Sequence, residues 1–240
     1  MKGVSLMTRE KFIVLDVEGM QGKRPYNVGY IIADRYGKIY KKHSFAFPAC
    51  IWENIAESLR IGQAVEMTKK NIQEILLDSD KPRRKRKYKS VTTEEFANQF
   101  FKEIHRYKVK RIFAYNCNFD KGAISRLLGE ELFAELDCEW CDIISGLLPR
   151  FCTAPYLNFC LTNGYLSPKG IAQYKAEIAY RYFFGDLNFE EEHTGLSDAL
   201  IEYALLLISF KSHKKLDFKP VCAWAQIKKA MQERDLWAVA

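Results

Sequence analysis

Long hydrophobic runs are missing from this 240-residue chain. The longest apolar stretch, around Ala199 to Phe210, carries a glutamate and is too short and too polar to span a bilayer, which takes about 20 apolar residues. No membrane partner is therefore expected. The amino-terminal MKGVSLMTRE lacks the hydrophobic block of a secretory signal, so the expected location is cytoplasmic. Internal repeats and long linkers are absent too, and 48% hydrophobic residues suffice for a generous core. A single domain over residues 1–240 is the expectation. The seven cysteines are odd in number, which argues for reduced thiols over a disulfide framework. Cys138 and Cys141 have the spacing of a zinc pair. Within a short strand, however, residues three apart face opposite ways, so these thiols read as packing residues.

Excess charge is also missing from most of the chain. The net charge is +7, yet the segment from Lys81 to Lys89 holds seven basic residues and no acidic one, and the remainder balances at 30 against 30. A run of this kind, with Pro82 inside it and serines at its flanks, is either a solvated loop or a contact for phosphates, which Arg83, Arg84, Lys85, Arg86 and Lys87 would make without reading sequence.

What is present is a pattern of elements. Lys11 to Val17 and Tyr26 to Ala33 are β-rich, and the turn Asp34 to Gly37 leads into Ile39 to Phe47, so the three form an antiparallel meander. Residues 50–77 read as helical pieces. Thr92 and Glu95 have capping-box spacing for a helix running to about Tyr107. A strand at Arg111 to Tyr115, a helix at Asp120 to Leu128, a short strand at CEWCDII and helices over Ile171 to Phe184, Leu196 to Phe210 and Cys222 to Glu233 follow. The fold class is thus α/β, a mixed sheet covered by helices.

Three short clusters carry chemistry. Asp16 and Glu18 are two apart in a strand and share a face at the end of an apolar run. Side by side they would raise one another's pKa unless a divalent cation sat between them. Gly19 after them permits close approach by a nucleotide. Asp120 stands where a strand gives way to a helix and could be an N-cap, but Asn116 beside it can hold a turn or a ligand, and Phe119 offers a face on which a base can stack. His193 and Asp198 bracket the start of a long helix. Their spacing does not put them on one helix face, so the histidine reaches in from the preceding loop, where it suits proton transfer while the carboxylate suits a metal. His43, His105 and His213 have no such neighbourhood.

These motifs, D-x-E at Asp16 and Glu18, N-x-x-F-D at Asn116 to Asp120 and H-x-x-x-x-D at His193 to Asp198, resemble the DEDDh class of 3′-to-5′ exonucleases. That group includes the proofreading epsilon subunit of bacterial DNA polymerase III, RNase T and oligoribonuclease. The resemblance runs from about Phe12 to Phe210. It implies a ribonuclease H-like fold, with Asp16, Glu18, Asp120 and Asp198 holding two Mg²⁺ or Mn²⁺ ions and His193 as general base. It also implies that Gly19 and Met20 contact the terminal nucleotide, and that nucleoside 5′-monophosphates leave from a free single-stranded 3′ end. The chain departs from the family where Gly19 replaces a usual threonine and Gly195 a usual alanine. The segment from Cys50 to Ser90 looks longer than a minimal member needs, and the tail after His213 has no counterpart and reads as packing or oligomerisation.

The expected function is therefore a metal-dependent exonuclease acting on DNA. The same chemistry on RNA is the runner-up, because discrimination depends on contacts to the 2′-hydroxyl. A non-catalytic nucleic-acid-binding protein of the same fold is the alternative from another class; clustered carboxylates, which repel phosphate, argue against it. The oligomeric state and the biological pathway are open from sequence.

Overall fold

A computed structural model describes residues 9–61, 65–79, 81–212 and 217–234. Most of the amino-terminal segment read for a signal, His213 and the end of the tail lie outside these residues.

Strand β1 (Lys11–Glu18) is apolar on both faces because both are covered. Phe12 and Val14 enter one core, while Ile13, Leu15 and Val17 enter another. Alternation along the strand puts Asp16 and Glu18 on the Phe12 side. β2 (Asn27–Asp34) pairs antiparallel with β1, and β3 (Ile39–Ala46) pairs antiparallel with β2, which is the expected meander. The carboxylate of Asp34 closes the turn between them by accepting from the Tyr36 amide at 2.9 Å and the Lys38 amide at 3.2 Å. β4 (Lys89–Ser90) lies parallel to β3. On the other side of the sheet β5 (Arg111–Ala114) runs parallel to β1, and β6 (Glu139–Asp142) parallel to β5. The result is one mixed six-stranded sheet in the order β4-β3-β2-β1-β5-β6.

Helices cover both faces of this sheet, so the molecule is α/β. α1 (Pro48–Ile61) and α2 (Val65–Ser79) fill the segment read as helical pieces and form a small core of their own with Tyr26 and Tyr88. α3 (Thr93–Tyr107) opens with the capping box: the Glu95 amide donates to Thr92 Oγ1 at 3.1 Å and the Thr92 amide to Glu95 Oε2 at 2.8 Å. Phe96 and Phe100 of α3 pack beneath β1 with α4 (Cys117–Leu128), and α5 (Glu130–Ala134) follows. The opposite face is covered by α6 (Ile143–Phe151), α7 (Ala154–Thr162), α8 (Ala176–Phe184), α9 (Gly195–Ser212) and α10 (Ala223–Glu233).

Two expectations change. α6 and α7 were not anticipated; each is short, and Pro149 within α6 and Pro155 in the first turn of α7 interrupt the periodicity. The helix expected from Ile171 begins only at Ala176. Gly170 at φ +70° turns the chain back there, and Leu166 bridges to Ala172, with the Ser167 amide donating to the Ile171 carbonyl at 2.8 Å. In the tail, Ala223, Ile227, Ala230 and Met231 of α10 are buried in the α6 core, which makes the tail part of the packing. All seven cysteines are free thiols, and Cys138 donates weakly to the Val109 carbonyl. Among the described residues no helix is long and apolar enough to cross a membrane.

Candidate functional site

The site forms where β1 outruns its parallel neighbour. The register of β1 with β5 pairs Ile13 with Ile112 and Val14 with Phe113, so Asp16 and Glu18 lie beyond that pairing, at the carboxyl end of both strands. Ligand sites in sheets with parallel strands favour such an edge. Past the pairing, the Val17 amide donates to Asp120 Oδ1 at 3.3 Å, which fixes α4 to the strand end.

Asp120 does not cap α4. The helix begins at Cys117, so Asp120 sits in its first turn, and Asn116 precedes it in the left-handed region at φ +72° without a side-chain cap. The capping is done by Asp142, at the end of β6. Its Oδ1 accepts from the amides of Asn116 at 3.1 Å and Cys117 at 3.2 Å, while its Oδ2 accepts from the Ser145 amide and hydroxyl. The carboxylate of Asp120 is thereby left for the site.

α9 delivers the third cluster. His193 stands in the loop before the helix, as expected, with a left-handed backbone at φ +53°. Its carbonyl accepts from Asn71 Nδ2 of α2 at 2.9 Å, and its Nδ1 lies 4.0 Å from Glu191 Oε2. One ligand atom each from Glu18, His193 and Asp198 falls within 4.8 Å of the others. Two distant stretches of sequence thus meet, and the Val17 amide bond to Asp120 holds the third against the same strand end.

The electrostatics are those of carboxylates crowded out of water. Burial first, then Glu202, Glu18, Asp120 and Asp198, hold Asp16 well above the usual carboxylate range. Burial and then the neighbouring Asp198 carboxyl do the same to Glu18. Asp120 is raised by burial although two amides oppose the shift, and Asp198 is raised by burial although the His193 charge and the Ser197 hydroxyl relieve it. Glu191 is pushed up to about 7, by burial first and then by Asp198 and Glu177. The side-chain oxygen Asp16 Oδ2 is buried without a hydrogen-bond partner among the described residues. Such a donor set suits hard divalent cations, which take several carboxylate oxygens and would replace the protons the cluster otherwise holds.

Sequence reasoning missed Glu202, Glu191, Asn71 and Asp142. Glu202 left a trace: it lies four residues after Asp198 and so on the same face of α9, inside an otherwise apolar run. Asp142 shows locally only its cap on Ser145; its site partners Asn116 and Cys117, and the His193 partner of Asn71, are 25 to 122 residues away, while Glu191 depends on how the loop before α9 folds.

The residues read as substrate contacts are placed differently from one another. A Cβ at Gly19 would meet Pro25 Cα at 3.0 Å and Asn54 Oδ1 at 3.4 Å, so the close approach this glycine allows is taken by the chain itself. The Met20 amide donates to Asn54 Oδ1 at 2.6 Å, which pins the turn after β1 to α1. Phe119 is half-buried and packs on the α3–α4 core, while Asn116 is exposed. In the basic segment Arg83 to Lys85 form a single 3₁₀ turn, and Arg84 and Lys85 are exposed. The side chain of Arg83 lies outside the description. Arg86 donates to the Lys81 carbonyl at 2.8 Å. Lys87 bridges Glu74 at 3.0 Å and Glu192 at 3.2 Å, so the basic segment is tied to the residue next to His193.

Beside the cluster opens a cleft of about 800 Å³, whose lining includes Asn116, Glu191, Tyr174, Lys175 and Trp224. No protein-family model matches this sequence, and no curated protein matches it.

Proposed function

We propose that the chain is a metal-dependent 3′-to-5′ exonuclease that removes nucleoside 5′-monophosphates from single-stranded DNA ends, built on a ribonuclease H-like sheet. The observation that carries this reading is the convergence of Asp16, Glu18, Asp120, His193 and Asp198, from three separate stretches, on the carboxyl end of β1. The strand order, with an antiparallel meander on one side of β1 and parallel strands on the other, is compatible with that fold.

Asp16, Glu18, Asp120 and Asp198 would hold two Mg²⁺ or Mn²⁺ ions. When bound, the ions supply positive charge that eases ionisation of an attacking water and offsets charge on the leaving oxygen. The chain's own residues account for the rest. His193, at the mouth of the cluster and half exposed, takes the proton of the attacking water at a ring nitrogen. Asn71 fixes the backbone of that residue through its carbonyl, and Asp142 and Asn27 fix the starts of α4 and α9. The exposed Arg84 and Lys85, shortly before the Lys87 that pairs with Glu192, would meet backbone phosphates without reading bases.

The test is digestion of 5′-labelled single-stranded DNA and RNA with Mg²⁺, Mn²⁺ or chelator. A ladder shortening from the 3′ end, present with metal and absent with chelator, is expected, and the ratio of DNA to RNA rates sets the substrate. An intact strand in Mn²⁺, bound equally well by Asp16→Ala, would leave a non-catalytic nucleic-acid-binding protein in place of the enzyme.

A further inference from the structure

Glu202 is almost wholly buried, at 3% exposure, in the middle of α9, where Asp198 and Ser209 are buried as well. Burying a carboxylate is costly unless its oxygens find partners. One oxygen accepts from the Tyr115 amide. The other, Oε2, is fully enclosed and has no hydrogen-bond partner among the described residues. Asp16 Oδ2 is in the same condition. Glu202 is the strongest charged neighbour of Asp16, and Asp120 and Asp198 are the strongest charged neighbours of Glu202. Glu202 and Asp16, each with an orphaned carboxylate oxygen, therefore belong to one group of interacting acids.

A purely structural acid fits this poorly. The Tyr115 amide could be capped by a neutral glutamine of the same shape, and a second carboxylate beside Asp16 only adds repulsion unless a cation is present. We infer that Glu202 is a fifth carboxylate ligand of the divalent-ion site, acting beside Asp16, Asp120 and Asp198. This rests on the divalent-ion reading given above. The tie to Tyr115 aims the side chain: Tyr115 follows β5 directly, so the residue leading into the Asp120 helix also orients Glu202. Ligand charge count sets affinity at oxygen sites, so a fifth carboxylate would let the protein retain both ions before nucleic acid adds its phosphates.

The experiment is Mn²⁺ titration of the full chain by calorimetry and by the electron paramagnetic resonance signal of free Mn²⁺, comparing wild type, Glu202→Gln and Asp16→Asn. Glu202→Gln keeps the shape and the bond from Tyr115 and removes only the charge. The expected result is two Mn²⁺ per wild-type chain, with at least a tenfold loss of affinity for one of them in Glu202→Gln. Metal-free Glu202→Gln should also melt at a higher temperature than metal-free wild type, because repulsion is relieved. Should Glu202→Gln not fold, Glu202→Asp, which withdraws the charge by one methylene, is read by the same titration. Affinities within twofold of wild type in the variant overturn the assignment and leave the exonuclease proposal standing, provided Asp16→Asn loses Mn²⁺. Glu202-dependent Mn²⁺ binding without strand cleavage supports the assignment and overturns the exonuclease. No Mn²⁺ binding by wild type at millimolar concentrations overturns both.

Discussion

Gly29 of β2 and Gly195 at the start of α9 meet backbone to backbone. A Cβ on Gly29 would lie 1.9 Å from the Leu196 nitrogen, and one on Gly195 would lie 2.4 Å from the Gly29 nitrogen and 2.9 Å from the Asp16 carbonyl oxygen. Gly29 is the register partner of Asp16, and the Gly195 amide donates to Asn27 Oδ1 at 2.8 Å. The helix bearing Asp198 therefore rests directly on the strand pair bearing Asp16. In the DEDDh class proposed for this chain, alanine is usual at the Gly195 position, a change that looks minor in sequence. Here backbone atoms that cannot swing aside block even a methyl.

Gly195→Ala should accordingly destabilise the protein by about 1–3 kcal/mol, the range for overpacking, by pushing α9 off the sheet. It should also weaken Mn²⁺ binding, because Asp198 moves with the helix. Denaturant melts and Mn²⁺ titration check both, and a variant as stable as wild type would mean that the helix sits farther from β2.

His193 occupies a left-handed backbone that asparagine tolerates better than alanine. His193→Asn should fold and bind Mn²⁺ with little change while losing about 10²- to 10⁴-fold in turnover, the range for general-base removal. Single-turnover cleavage measures this, and unchanged turnover would remove His193 from the base role. Asn71→Ala, which orphans the His193 carbonyl, should cost about 1 kcal/mol in stability and lower turnover without altering the pH profile.

The metal-free protein should become less stable as pH rises. Asp16, Glu18, Asp120, Asp198 and Glu202 are all raised above their ordinary values, and Glu191 is pushed up to about 7. The folded chain then binds more protons than the unfolded one from about pH 4, where free carboxyls titrate, up to those raised values. Unfolding free energy falls with pH across that window. In chelator the melting temperature should be higher at about pH 5.5 than at about pH 8, and Mn²⁺ should restore stability at the higher pH. Melting temperatures that do not change with pH would deny the crowding of these carboxyls.

Replacing Arg84, Lys85 and Arg86 together by glutamine should flatten the salt dependence of single-strand binding. Each lost phosphate contact lowers the slope of log affinity against log salt by about 0.7, so a fall of about 2 is expected from fluorescence anisotropy across a salt series. An unchanged slope would make the segment a solvated turn. Lys87 is left intact in this test because its pairs with Glu74 and Glu192 tie the segment to the His193 loop.

Local rules made much of this protein legible in its sequence. β-rich runs set off by a turn marked β1 to β3, strand alternation gave Asp16 and Glu18 a shared face, the capping box marked the start of α3, and a glutamate inside the α9 run marked that helix as unsuited to a membrane. Proline and glycine hid α6, α7 and the true start of α8, because they break the periodicity on which such reading depends. What the residues alone determined was which side chains are suited to the proposed chemistry and which strand or helix carries each. Tertiary structure decided which of them meet: Gly29 against Gly195 brings Asp198 to Asp16, Asp142 caps the helix of Asp120, Asn71 holds the His193 loop, and Pro25 with Asn54 takes the space beside Gly19. It also drew Glu202 into the cluster. These relationships depend on close approach between residues far apart in the chain, and side-chain periodicity, which repeats over two or three to four residues, holds no information about them.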